Sequence, residues 1–126
     1  MVAGGHSLAF LALVNDAKTR VKQIQASELP GILKSNPAAQ VVDVREESEF
    51  ARGHLVGARW LGKGIIERDI EQHYPNRSAT LYLYCGGGFR SALAADNLQK
   101  MGYKNVVNVE GGWRALKDLL PTETGD

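Results

Sequence analysis

Leu81-Tyr82-Leu83-Tyr84-Cys85-Gly86-Gly87-Gly88-Phe89-Arg90-Ser91 is the stretch on which the fold turns. Its first four residues are apolar and aromatic, a composition that favours a strand. Ala92 to Met101 is built from good helix formers, and Gly102 stops them. Between the two lies a glycine-rich turn opened by the only cysteine of the chain. A strand–turn–helix unit points backbone N–H groups, and the positive end of the helix dipole, at whatever sits in the turn. A thiol placed there is pushed towards the thiolate, its reactive form. Cys85 is therefore the candidate nucleophile.

Working outward, Gln40-Val41-Val42-Asp43-Val44-Arg45 is a run of β-branched residues of the kind found in a strand buried on both faces. Asn105 to Val109 is a second apolar strand, and Val21–Ile24 and Arg59–Leu61 are shorter ones. Helical patterns fall between them. Ser7 caps a helix to Lys18, Ser27 caps another to Leu33, Glu46–Arg52 and Ile65–His73 follow, and Trp113 to Leu120 comes last. Strands alternating with helices predict one α/β domain with a mostly parallel sheet. In such sheets ligands bind beyond the carboxyl ends of strands, where Cys85 stands. The core is expected over about residues 21–120, with 1–6 and 122–126 loose.

The whole-chain numbers exclude several classes. The 126 residues suffice for a single core. Fifteen basic against fourteen acidic residues leave a net charge of +1 and no basic stripe, so a nucleic-acid partner is not expected. No apolar run is long enough to span a membrane. Leu8 to Val14 is as apolar as a short signal core, but no Lys or Arg precedes it and no small-x-small site follows. One cysteine cannot form an internal disulfide and fits a reducing compartment, so the expected location is cytoplasmic. His6 and His73 have no clustered Cys or His partners, so a metal site is not expected.

Gly86, Gly87 and Gly88 remove every side chain from the near wall of the turn and let successive N–H groups converge on the sulfur. Arg90 adds fork-shaped donors suited to an oxyanion. These residues predict a Cys85 pKa below the value of about 8.5 of a free thiol. The plain alternative is a buried, inert core cysteine followed by a flexible loop. Phe89 sits inside the loop, where it could shape the pocket mouth. Asp43 and Arg45 are possible supporting residues, although such a pair more often ties a strand end to nearby loops. His54, in a Gly-His-Leu turn, reads as a turn-holding residue, and Glu46, Glu47 and Glu49 as a solvated helix face.

Cys85 to Ser91 is similar to the active-site loop of the rhodanese-like sulfurtransferases, in which a cysteine opens a short loop often closed by arginine. Asp43-Val44-Arg45 resembles that family's strand-end Asp-x-Arg. Glu49-Phe50 with Gly53-His54-Leu55-Val56-Gly57-Ala58 resembles its "E-[FY]-x-x-G-H-[IL]-x-G-A" signature, and Glu110-Gly111-Gly112-Trp113 its Gly-Gly turn. The resemblance spans about Val21 to Leu120. It implies a single rhodanese-like domain, a five-stranded, mostly parallel sheet flanked by helices on both faces. It implies transfer of sulfane sulfur from thiosulfate, or another persulfide donor, through a Cys85 persulfide. The acceptor would be a thiol, cyanide or a protein cysteine. Cys85 would be catalytic, and Gly86, Gly87, Gly88, Phe89, Arg90 and Ser91 would bind substrate and persulfide. One departure stands out: many bacterial members have Cys-x-Ser-Gly-x-Arg-Ser, and Gly87 stands where that serine would be. The loss of a hydroxyl predicts that thiosulfate is a poor donor. Two other readings remain open. One is a persulfide carrier or interaction module with slow turnover. The other is a cysteine-dependent phosphatase or arsenate reductase of related fold, whose Cys-x5-Arg loop is one residue longer.

Overall fold

The structure is a computed structural model that describes residues 2, 3 and 5–125. In chain order its elements are β1 (Val2–Ala3), β2 (His6–Ser7), α1 (Leu8–Lys18), β3 (Lys22–Gln25), α2 (Leu29–Ser35), β4 (Gln40–Asp43), α3 (Glu47–Arg52), β5 (His54–Leu55) and β6 (Arg59–Trp60). There follow α4 (Ile66–His73), β7 (Thr80–Tyr84), α5 (Phe89–Lys100), β8 (Asn105–Glu110), α6 (Gly112–Leu116) and β9 (Thr122–Glu123). A short 3₁₀ turn, Ala26–Glu28, leads into α2, which takes Pro30 in its first turn, where a missing N–H costs nothing.

Five strands form one sheet in the order β3-β8-β7-β4-β6, and every neighbouring pair is parallel. The strand that carries Cys85 at its end, β7, is the middle one. Side chains alternate across a strand, so β7 feeds two cores. Leu81 and Leu83 join Val42, Val44, Val106 and the inward faces of α4 and α5, including Ile66, Ile70 and Leu98. Tyr82 and Tyr84 point the other way, onto Leu29, Leu55, Val107, Val109 and Leu116. Both faces are covered by helices, which is why β4 and β7 are rich in β-branched and aromatic residues rather than alternating with polar ones.

The differences from expectation lie at element ends. The β4 ladder stops at Asp43, because the Asp43 carboxylate takes the N–H of Arg45 at 3.0 Å in place of a strand partner. The last helix ends at Leu116, not Leu120. Beyond it the chain makes i→i+3 turns (Asp118 to Ala115, Leu119 to Leu116) and one i→i+4 bond, from the Leu120 N–H to Leu116 O, ahead of Pro121, which disfavours a helical residue before it. The expected loose tail is corrected: Thr122–Glu123 pairs antiparallel with His54–Leu55, and the Gly125 N–H donates to Ala51 O at 2.8 Å. At the other end Val2–Ala3 pairs antiparallel with His6–Ser7, so residues 1–6 are not loose where they are described; Met1, Gly4 and Asp126 lie outside the described residues. Two-residue strands are too short to leave a period in the sequence.

Candidate active site

Cys85 is the first residue beyond the middle strand and is 1 % exposed. Two glycine positions hold its loop in place. Gly88 has φ +101° and caps α5; a Cβ there would lie 3.3 Å from Val109 O. Gly112, at the start of α6, has φ +49°, and a Cβ on it would collide with Cys85 O. Its bare Cα lets α6 approach the loop closely. The Trp113 N–H then donates to Cys85 O at 2.7 Å, and the Arg114 N–H to Gly86 O at 3.2 Å. The Gly-Gly turn is thus backbone geometry that ties the loop to α6 through the carbonyls of Cys85 and Gly86.

Around the sulfur the donors converge. The Gly88 N–H reaches Sγ at 3.1 Å and the Ser91 hydroxyl at 3.4 Å, at the N-terminal turn of the twelve-residue α5. Burial is the largest single influence on the thiol and pushes its pKa up. Against it act the Ser91 hydroxyl, then the N–H groups of Ser91, Gly88 and Gly87, and together they hold Cys85 below its ordinary value. Ser91 has a second, shorter acceptor, Asn108 Oδ1. Asn108 is fully buried, and its amide donates to Gly88 O at 3.0 Å, which turns Oδ1 towards Ser91. A single hydroxyl proton therefore serves two acceptors, the sulfur and the amide.

Arg90 is less free than its place in the sequence suggests. Its Nη1 and Nη2 donate to the two carboxylate oxygens of Glu49, at 2.8 and 3.3 Å. The pair straps the loop to α3, and Arg90 holds the Glu49 carboxyl below the usual carboxylate range despite partial burial. Glu49 is thus part of the site's frame, not a solvated face. Its role was hidden because helix acids near an N-terminus ordinarily face water.

Above the sulfur lies a cleft of about 270 Å³. The loop supplies its floor with Cys85, Gly86, Gly87, Phe89 and Arg90; His6, Phe10 and Arg114 supply the facing walls. Phe89 lies among the lining residues of the cleft. Its ring meets His6 edge-on at 4.9 Å and Phe10 at 6.3 Å, with Lys18 Nζ 5.0 Å from its centroid. The three wall residues had no sequence signal, because α1, the β1–β2 pairing and α6 reach the loop only through tertiary packing.

Asp43 and Arg45 are buried but do not line this cleft. They pair at 2.7 Å, and Arg45 Nη2 donates to Gly53 O at 2.6 Å, tying the end of β4 to the loop after α3. The Arg45 guanidinium also lies 4.7 Å from the Trp113 ring. His54 Nδ1 donates to Phe50 O at 2.7 Å, its ring stacks on Phe50 at 3.6 Å, and Nε2 faces Glu123 at 3.1 Å. Among the described residues no three His, Cys, Asp or Glu side chains gather as metal ligands would, and no helix is long and apolar enough to cross a membrane.

A parallel sheet with a cysteine cradled beyond its middle strand is the architecture of the sulfurtransferase-type α/β domains. The chain belongs to the rhodanese-like domain family, which it matches over residues 25–119. Thiosulfate sulfurtransferase GlpE from Pseudomonas putida is 33% identical over 105 residues, covering 83% of this chain and 90% of the relative. The Bacillus subtilis "Putative sulfur carrier protein YrkF" is 32% identical, and this chain spans only 42% of its length; it spans 59% of a second Bacillus subtilis relative. Among solved structures, a rhodanese-like domain protein from Staphylococcus aureus is 31% identical with a TM-score of 0.73, covering 84% of this chain and all of that one. A Rhodopseudomonas palustris protein described as a "Possible Tyrosine Phosphatase" is 26% identical with a TM-score of 0.78, covering 98% of this chain and all of that one.

Proposed function

We propose that the chain is a sulfurtransferase whose nucleophile is Cys85. The Cys85 thiolate attacks the outer sulfur of a sulfane donor such as thiosulfate. A bond forms between Sγ and that sulfur, the donor's S–S bond breaks, and the bonding pair leaves with sulfite. The product on the protein is a Cys85 persulfide anion. A thiol, cyanide or protein cysteine then takes the outer sulfur and returns the thiolate. The cradle holds the thiol below its ordinary pKa, and no proton moves in the first step when the thiolate is the attacking form. The observation that carries this reading is the buried sulfur under the Gly88 N–H and the Ser91 hydroxyl. The N–H groups of Gly87, Gly88 and Ser91 favour a negative charge at that point, and they serve thiolate and persulfide alike.

The relatives named as sulfurtransferase and sulfur carrier support the same chemistry, and a slow-turnover carrier would use the same persulfide. The phosphatase reading fits the loop less well. Four residues separate Cys85 from Arg90, which makes a smaller cradle than a tetrahedral phosphate needs, and Arg90 is already engaged by Glu49. A lone thiol is easiest to reconcile with a reducing compartment, which supports a cytoplasmic setting as part of this proposal. Intact-mass measurement after incubation with thiosulfate tests the proposal. We expect a gain of one sulfur atom that cyanide removes and that Cys85→Ser abolishes. No gain with any sulfane donor, or phosphate release from a phosphoester that depends on Cys85, overturns it.

A further inference from the structure

Two cations line the cleft, Arg90 of the loop and Arg114 of α6, and a third, Lys18, lies beside the Phe89 ring; their pairing separates them. Arg90 is engaged by both oxygens of Glu49, and Lys18 Nζ sits 2.7 Å from Glu110 Oε1. Arg114 faces the same cleft as Cys85 and enters no ion pair among the described residues. Its backbone is fixed by the N–H bond to Gly86 O, so the side chain starts from a defined point beside the loop. Its Nη1 would lie 3.8 Å from a Cβ built on Gly87. The guanidinium thus stands beside the loop position that lacks a hydroxyl, on the same cleft that Cys85 lines. At about 30 Å³ per water in the liquid, the cleft above has room for several small-molecule heavy atoms next to Sγ.

Resting on the sulfur-transfer reading, we propose that Arg114 is the donor-binding residue of this site: its guanidinium holds the anionic sulfonyl end of a thiosulfate- or thiosulfonate-class donor while the outer sulfur faces Cys85. An arginine presents forked donors that match a sulfonate edge with two parallel hydrogen bonds. In the transfer step negative charge leaves Sγ and accumulates on the departing sulfite or sulfinate, so a cation at that end favours the bond-breaking step as well as binding. Arg114 thereby supplies from α6 the anion contact that the loop itself omits at Gly87. Because the residue is exposed at the cleft mouth, the effect is screened by salt.

The test compares wild type with Arg114→Gln and Arg114→Lys. Sulfur uptake on Cys85 is timed by mass spectrometry with thiosulfate, a dianion, and with benzenethiosulfonate, a monoanion. In parallel, Cys85 is alkylated with iodoacetate, an anion, and with neutral iodoacetamide. We expect Arg114→Gln to lower the thiosulfate rate on the order of tenfold and the benzenethiosulfonate rate roughly threefold at low ionic strength, following the charge product. The iodoacetate-to-iodoacetamide ratio falls several-fold, the iodoacetamide rate itself holds, and Arg114→Lys restores most of each loss. Uptake and ratio within about twofold of wild type, or equal losses with both haloacetates, overturn the role of Arg114. A wild-type protein that takes sulfur from neither donor overturns the sulfur-transfer reading instead, while the haloacetate ratio still judges the arginine separately.

Discussion

At Cys85 two opposing effects meet on one atom. Its burial alone would hold the thiol neutral and inert, which is the usual fate of a core cysteine. The Ser91 hydroxyl and three converging N–H groups reverse that outcome. Because the thiolate is the species that reacts, alkylation by iodoacetamide should rise with pH and level off once the pH exceeds the folded pKa. That plateau is expected below the range of a free thiol, about 8.5. Ser91→Ala removes the strongest of the lowering contacts, so its profile should shift to higher pH than wild type; an unshifted profile would show that the hydroxyl proton stays on Asn108. The loop's own residues were legible because seven consecutive positions carry them all. Asn108, Glu49, His6, Phe10 and Arg114 were not. Each is an ordinary polar or aromatic residue of its own element, and only its neighbours in the folded site give it a role.

Elements meet at one backbone contact, where α6 donates its first N–H groups to the carbonyls of Cys85 and Gly86. The sequence marks this contact only as Gly111-Gly112, which reads equally as any tight turn. The reason for the second glycine is the loop carbonyl against it, which leaves no room for a Cβ. Gly112→Ala therefore combines a backbone collision with an unfavourable positive φ. We expect a loss of about 2–4 kcal/mol in urea unfolding, with Cys85 more accessible to iodoacetamide as α6 lifts away. Element types were well signalled, since β-branched runs and helix formers follow the local backbone. Their ends were not, because β4 and α6 are cut short by Asp43 and by the approach to Pro121.

Over the whole molecule, the described segments near the two ends of the chain pack on different elements. The start brings His6 to the cleft, and the finish pairs β9 with β5 and sets Glu123 against the buried His54 ring. With Nδ1 donating to Phe50 O, the His54–Glu123 contact is an ion pair only when the ring carries both protons. Deleting residues 122–126 removes that contact and a two-residue ladder. It should cost about 1–2 kcal/mol in urea unfolding yet leave the iodoacetamide rate of Cys85 unchanged, since β9 does not line the cleft. By itself the sequence determined the α/β alternation, the parallel sheet and the cysteine loop, because each is written in neighbouring residues through propensity, periodicity and glycine freedom. Only the tertiary structure decided that Arg114 lines the cleft of Cys85 and, among the described residues, enters no ion pair. It also decided that Asp43 and Arg45 serve β4 rather than the cleft, and that the polar tail is a strand. Pairing is a property of distance in space, and residues such as Glu49 and Arg90, or Lys18 and Glu110, become neighbours only when the sheet brings their elements together.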